Sequence, residues 1–261
     1  MSMRIIVATF LLVFLVSRAV ADELPRIAII IDDVGDRHAE GLAAVSLPGT
    51  IACAFLPHTP YARELAKRAY ENGKEVLLHL PLQSLNGKAL GPGAITLDTT
   101  ETEFRRILRD NLSAVPHVRG VNNHMGSLLT RHPGHMTWLM QDLAADGQLF
   151  FIDSYTHADS VALAMASERG VPAARRDVFL DNVPERDAIA AEFTRLVERA
   201  RANGSAIGIG HPYPRTLEFL AAILPVLETE FGVRLVPVST LLTPPVLLEP
   251  HLKAAATPAA H

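Results

Sequence analysis

Ile27-Ala28-Ile29-Ile30-Ile31-Asp32-Asp33-Val34-Gly35 is the stretch on which the fold turns. An apolar run, mostly isoleucine, ends abruptly on two adjacent carboxylates. A short continuous run of this composition reads as a strand buried on both faces, as parallel sheets require. A dinucleotide-binding sheet would follow it with a glycine-rich G-x-G-x-x-G turn. This chain has Asp32-Asp33-Val34-Gly35-Asp36 there instead. An open doubly wound sheet remains the alternative, but its phosphate loop is missing.

Working outward, β-rich runs recur at Ile51–Leu56, Val76–Leu80, Val118–Asn122, Leu149–Ile152, Val178–Leu180, Ala206–Ile209 and Leu235–Val238. Segments of helical periodicity separate them: Ala39–Ser46, Pro60–Asn72, Thr100–Ala114, Pro133–Asp146, Ser160–Arg169, Glu185–Asn203 and Thr216–Phe231. Thr100 and Glu103 form a capping-box signature, and Asn72-Gly73, Asp146-Gly147 and Asn203-Gly204 read as helix stops. Steady alternation of strand and helix predicts an α/β fold, a (β/α) barrel of seven or eight parallel strands, complete or irregular. The Gly- and Pro-rich loop from Gln83 to Thr99 is long enough to line a substrate groove.

The N-terminus predicts export. Arg4 precedes an apolar run from Ile5 to Val16, and Ala19-Val20-Ala21 supplies a small-residue cleavage site before Asp22. The run is shorter than the ~20 residues a membrane-spanning helix needs, so no stable span is expected after cleavage. The expected organisation is a signal peptide at 1–21, a barrel over 22–242 and a flexible Pro/Ala-rich tail at 243–261, in a periplasmic or secreted protein. Loss of the signal removes Arg4 and Arg18 and no acid, so the net charge of −4 becomes more negative. Without a basic stripe, nucleic acid is not an expected partner. The single cysteine, Cys53, cannot form an internal disulfide, and its apolar surroundings mark it as a buried small hydrophobe.

The polar residues fall at strand ends. Asp32 and Asp33 end the first strand and His58 follows the second. His79 lies near the end of the third and His124 ends the fourth. Asp153 ends the fifth, Asp181 the sixth and His211 the seventh. In a parallel sheet all of these share the carboxyl end, where α/β barrels place their chemistry. Any one could be a helix cap, but capping does not explain so many on one rim. One carboxylate and two imidazoles suit Zn²⁺ or a similar ion and leave a coordination position open for water. Adjacent aspartates can divide the work, one binding the ion and the other taking the proton of a water. The histidines in loops and helix starts, His38, His117, His132 and His135, read as solvated.

Ile29–Gly35, Val76–Pro81, Gly120–Ser127, Phe151–Ser154, Arg176–Asp181 and Ile207–Pro212 together resemble the divergent polysaccharide deacetylase family, a branch of the NodB-like carbohydrate esterases. The likeness runs from about Arg26 to Leu242. It implies a deformed (β/α) barrel and a divalent metal, usually zinc. It makes Asp32 the general base, Asp33 a metal ligand and His211 the general acid. The family places two histidine ligands four residues apart, but Leu128 stands four residues after His124. His79, at the neighbouring strand end, is the candidate for the missing imidazole. Asp153 is a candidate to orient His211 or to contact substrate, and Asn123, His58 and Arg176 are candidate substrate contacts.

The implied reaction is hydrolysis of an acetyl group on a cell-wall glycan or other acetylated polysaccharide. Two other readings stay open: a catalytically inactive barrel that holds glycan, and a metal-dependent amidase or esterase acting on a non-sugar substrate.

Overall fold

The computed structural model describes residues 23–243. The expected signal at 1–21 and the tail from 244 onward lie outside the described residues. Strands β1 (Arg26–Val34), β2 (Ala52–Phe55), β3 (Glu75–Leu82), β4 (Val118–Met125) and β5 (Phe150–Asp153) alternate with helices α1 (His38–Val45), α2 (Ala62–Glu71), α3 (Glu101–Ala114) and α4 (Pro133–Asp146). Helix α5 (Ala162–Arg169) leads to two short strands, β6 (Ala173–Arg175) and β7 (Val178–Phe179). Helix α6 (Arg186–Asn203), strand β8 (Ser205–Gly210), helices α7 (Pro214–Ile223) and α8 (Leu227–Phe231), and strand β9 (Arg234–Leu235) complete the chain.

The strands pair in the order β6-β5-β4-β3-β2-β1-β8-β7, all in parallel, with β9 against the start of β1. The sheet curls into a half-barrel with β6 and β7 as its two ends. The chain itself bridges the seam. Arg176 N–H bonds Asp153 O, whereas the next N–H, of Asp177, bonds Ile207 O on the opposite wall. The expected barrel is therefore present, with an irregular closure.

Side-chain alternation sorts the strands into two layers. Ile27, Ile29 and Ile31 pack outward beneath the helices, in a cluster with Cys53, Phe55, Val76 and Leu78. Ala28 and Ile30 point inward with Ala52, Ala54, Leu77, Phe150, Ile152, Ile207 and Ile209. Burial on both faces accounts for the unbroken apolar runs in the sequence. Val238 closes the interior at the amino end of the strands, in a 3₁₀ turn whose Ser239 N–H bonds Glu75. Among the described residues, two clefts open at the carboxyl end.

Three local expectations are corrected. Strand β6 was not anticipated, because three edge residues ending in the exposed Arg175 carry no periodic signal. The long helix expected over Thr216–Phe231 breaks into α7 and α8 at a 3₁₀ turn, Leu224–Val226, where Pro225 offers no N–H to continue the ladder. The last strand is Arg234–Leu235, not Leu235–Val238, since Pro237 ends the pairing. Packing also reaches Thr243, whose N–H bonds Ala173 O. The capping box at Thr100 and Glu103 is formed.

Candidate metal centre

Alternation on the inner face decides which side chains reach the open end. Counting by twos from Ala28 and Ile30 leads to Asp32, from Leu77 to His79, from Ile152 to Ser154 and from Ile209 to His211. Asp33 should then face outward. It does not, because the β1–β2 register shifts between Ile31 and Val34 and Asp33 adopts a left-handed φ of 56°. Such a backbone costs about 1–3 kcal/mol, least for Asp and Asn among residues with a side chain. It brings two consecutive carboxylates to one site. Gly35, at φ 131°, completes the turn, and a Cβ there would lie 2.2 Å from Thr59 Oγ1.

Asp33, His79 and His124 converge tightly. Asp33 Oδ1 lies 2.8 Å from His124 Nδ1 and 3.1 Å from His79 Nε2. The two ring nitrogens are 3.2 Å apart. These three separations match the edges of a coordination face, about 2.8–3.4 Å for bonds of roughly 2.0–2.1 Å at octahedral to tetrahedral angles. Asp33 Oδ1 is also a buried oxygen without a hydrogen-bond partner: the rings are near but misaligned for donation. A carboxylate oxygen orphaned between two imidazole nitrogens fits a divalent cation, and the three residues form a possible ligand set for one.

The electrostatics agree. Burial raises the Asp32 carboxyl above its ordinary value, against the pull of His79 and His211. Burial would raise Asp33 too, but the adjoining His124 and His79 rings hold it well below the usual carboxylate range. For His79 burial opposes the charged ring, yet Asp32 and Asp33 push it upward. Asp32 stands just outside the triad, its Oδ2 3.7 Å from His79 Nε2.

His211 completes the rim from β8, with Nε2 4.0 Å from Asp33 Oδ2. Its other nitrogen, Nδ1, is 2.8 Å from Asp181 Oδ1, and its backbone N–H donates to Asp181 Oδ2 at 2.7 Å. Thr216 donates to that same oxygen at 2.8 Å. Burial lowers the His211 imidazolium, but the Asp181 hydrogen bond and charge more than offset this and raise it to about 9.

Four expected site residues are placed elsewhere. Asp153 does not reach His211; it accepts from Tyr155 N–H at 2.8 Å and Ser160 Oγ at 2.6 Å, fastening its own loop. Asp181 holds the position beside His211 instead. Asn123 faces away from the opening, with Oδ1 accepting from Ser154 N–H and Nδ2 donating to Met125 O. His58 turns to Asn111, whose amide in turn bonds Gly93 O in the long loop. Arg176 is occupied by Ser154 O and Tyr155 O and lies over the Phe179 ring. One residue escaped the sequence reading. Asn122 is fully buried among Asp32, His79 and Ser154. Of the histidines expected to be solvated, His135 is in fact buried, its Nδ1 2.9 Å from that of His132.

Two clefts flank the centre. One, of about 350 Å³, runs from Asp33 past Asp36, Arg37 and Glu40 to His211 and Tyr213. The other, of about 240 Å³, lies between His124 and Ala89–Pro92 of the long loop. The loop does border the groove.

Residues 29–242 match the divergent polysaccharide deacetylase family. The chain belongs to that family. Relatives within reach include the uncharacterized protein YibQ of Escherichia coli, 37% identical over 220 residues, which are 84% of this chain and 68% of that protein. An uncharacterized protein of Haemophilus influenzae is 37% identical over 197 residues, covering 76% of this chain and 70% of its own. Among solved structures, an uncharacterized protein of Agrobacterium tumefaciens superposes with a TM-score of 0.80 at 22% identity, over 85% of this chain and 90% of that one. The catalytic domain of a peptidoglycan N-acetylglucosamine deacetylase of Eubacterium rectale superposes with a TM-score of 0.50 at 14% identity, over 84% and 92%. At such identities the likeness is one of fold. This member of the divergent polysaccharide deacetylase family therefore shares its half-barrel fold with both solved structures.

Proposed function

We propose that this chain is an exported, metal-dependent deacetylase that removes N- or O-acetyl groups from a cell-envelope polysaccharide, with zinc as its ion. The observation that carries the reading is the orphaned Asp33 Oδ1, packed between His79 and His124 with Asp32 and His211 on either side. Residues from four strands or strand ends meet there, although Leu128 stands where the family's second histidine would fall, four residues after His124. That His79 fills the gap favours hydrolysis over passive glycan holding.

A divalent ion at Asp33, His79 and His124 would supply Lewis-acid activation of a water and of the acyl carbonyl. Asp32 then takes the proton of the attacking water. Burial raises its carboxyl above the ordinary value, which is the direction that strengthens a general base. His211, held at Nδ1 by Asp181, presents Nε2 to the opening and donates a proton to the leaving nitrogen or oxygen. The flanking clefts leave room for sugars on both sides of the reacting group, and the half-exposed Tyr213 offers a face on which one can stack. The signal at 1–21 delivers the barrel to the periplasm or beyond the cell. Among the described residues no helix is long and apolar enough to cross a membrane.

The test combines metal content with acetate release. Purified native protein should carry about one equivalent of zinc, and His79→Ala and His124→Ala should lose it. Native protein should release acetate from acetylated glycan oligomers, stop with chelator and recover with Zn²⁺. Turnover confined to peptide or simple ester substrates would remove the glycan assignment, and glycan retention without acetate would remove the enzyme.

A further inference from the structure

We propose that Asn122 is the positioning residue that fixes the proton on His79, and thereby makes His79 a competent second imidazole for the metal. The proposal rests on the metal-dependent reading above and adds a residue to it.

His79 and Asn122 are direct partners in the β3–β4 register, and both side chains point into the barrel. Asn122 is fully buried, so its carboxamide must find its partners inside the protein. Its Nδ2 donates to Asp32 Oδ1 at 2.7 Å and approaches Ser154 Oγ at 3.4 Å. An ionised carboxylate only accepts hydrogen bonds, so Asp32 dictates which end of the amide faces it. The other end, Oδ1, then lies 2.9 Å from His79 Nδ1. A carbonyl oxygen also only accepts. A neutral His79 must therefore carry its proton on Nδ1, which leaves the lone pair on Nε2. That nitrogen is the one 3.1 Å from Asp33 Oδ1 and 3.2 Å from His124 Nδ1.

One carboxylate thus orients one amide, and that amide orients one ring. Without Asn122, nothing on the Nδ1 side selects a tautomer, and a neutral ring protonated at Nε2 turns an N–H toward the metal position. The same amide steadies Asp32 beside the site. A residue without a metal contact thus acts on the ligand and on the base together.

The experiment has a metal-free arm and a zinc arm. Two-bond ¹H–¹⁵N correlation spectra of the metal-free native protein, at a pH where His79 is neutral, should show the Nδ1–H form at His79. An Nε2–H form there would overturn the proposal whether or not the protein binds metal. In the second arm Zn²⁺ is titrated calorimetrically into native, Asn122→Leu and Asn122→Asp proteins. Asn122→Leu should bind zinc about 10–100-fold more weakly, the usual scale for losing the partner of a ligating histidine. Asn122→Asp keeps an acceptor against Nδ1 and should recover most of that loss, which a simple packing defect would not. Equal zinc affinity in native and Asn122→Leu proteins would sink the assignment of Asn122. A native protein that binds no zinc would instead sink the metal reading, while the tautomer spectrum still decides for or against Asn122. Should Asn122→Leu fail to fold, the spectrum of the native protein and the Asn122→Asp titration carry the test.

Discussion

The two halves of the barrel use their polar strand ends differently. In the first half, β1, β3 and β4 run nine, eight and eight residues, and Asp32, Asp33, His79 and His124 all reach one point. In the second half, β5, β6 and β7 run four, three and two residues. There Asp153 is drawn into its own loop by Tyr155 and Ser160, and only Asp181 turns toward a catalytic candidate, His211. His79 and His124 serve the opening from strands that stay paired through them, whereas Asp153, at the end of a four-residue strand, is claimed by its following loop.

The largest effect expected from this contrast lies in the first half. Asp32→Asn should reduce acetate release on the order of 10²–10⁴-fold, the scale of a positioned general base, while zinc content stays near the native value. Zinc analysis beside a kinetic assay separates the two. Zinc lost in step with activity would make Asp32 a ligand and blur the division of labour between the adjacent acids.

The second half supplies a paired experiment on its two aspartates. Asp181→Asn should lower kcat by about 10–10²-fold with little change in KM, because His211 loses its orienting partner. Asp153→Ala should leave kcat within a few-fold and lower the unfolding free energy by about 1.5–3 kcal/mol, the scale of hydrogen bonds to a charged group. Urea unfolding and steady-state kinetics on both proteins decide it. If Asp153→Ala proved the catalytic lesion and Asp181→Asn the structural one, the halves would not differ as argued.

The same contrast explains what the sequence could reveal. The barrel was legible because a strand covered on both faces must be apolar throughout, and Ile27–Ile31, Val76–Leu78 and Ala206–Ile209 satisfy this in plain view. Asp32, His79 and His124 were legible as a rim because long strands carry their position into space. Period-two counting would also have found Asn122, two residues before His124 and on the same face, had it been carried one step back along β4. That Asp153 does not reach His211 was hidden for a different reason. Asp153 and Asp181 follow their strands in the same way, and no local pattern shows that Ser160, seven residues on, captures one while Thr216, thirty-five residues on, helps to hold the other against His211. The left-handed turn at Asp33 was equally invisible, since simple alternation sends Asp33 to the wrong face.

The smallest effect concerns a group in the first half that should do nothing. Cys53 lies mid-strand on β2, fully buried in the outer layer behind the site. Burial pushes its thiol up to about 12, and the charge of Lys74 offsets only part of that. Thiolate is the reactive species, so at pH 8 the folded protein should present almost none and offer no path to it. A thiol reagent should label the single cysteine only as fast as the barrel opens, and completely once urea unfolds it. Rapid labelling of folded protein would mean that the β2 wall breathes. The rigid aim of His79 and Asp32 from the neighbouring strands β3 and β1 would then lose its physical basis.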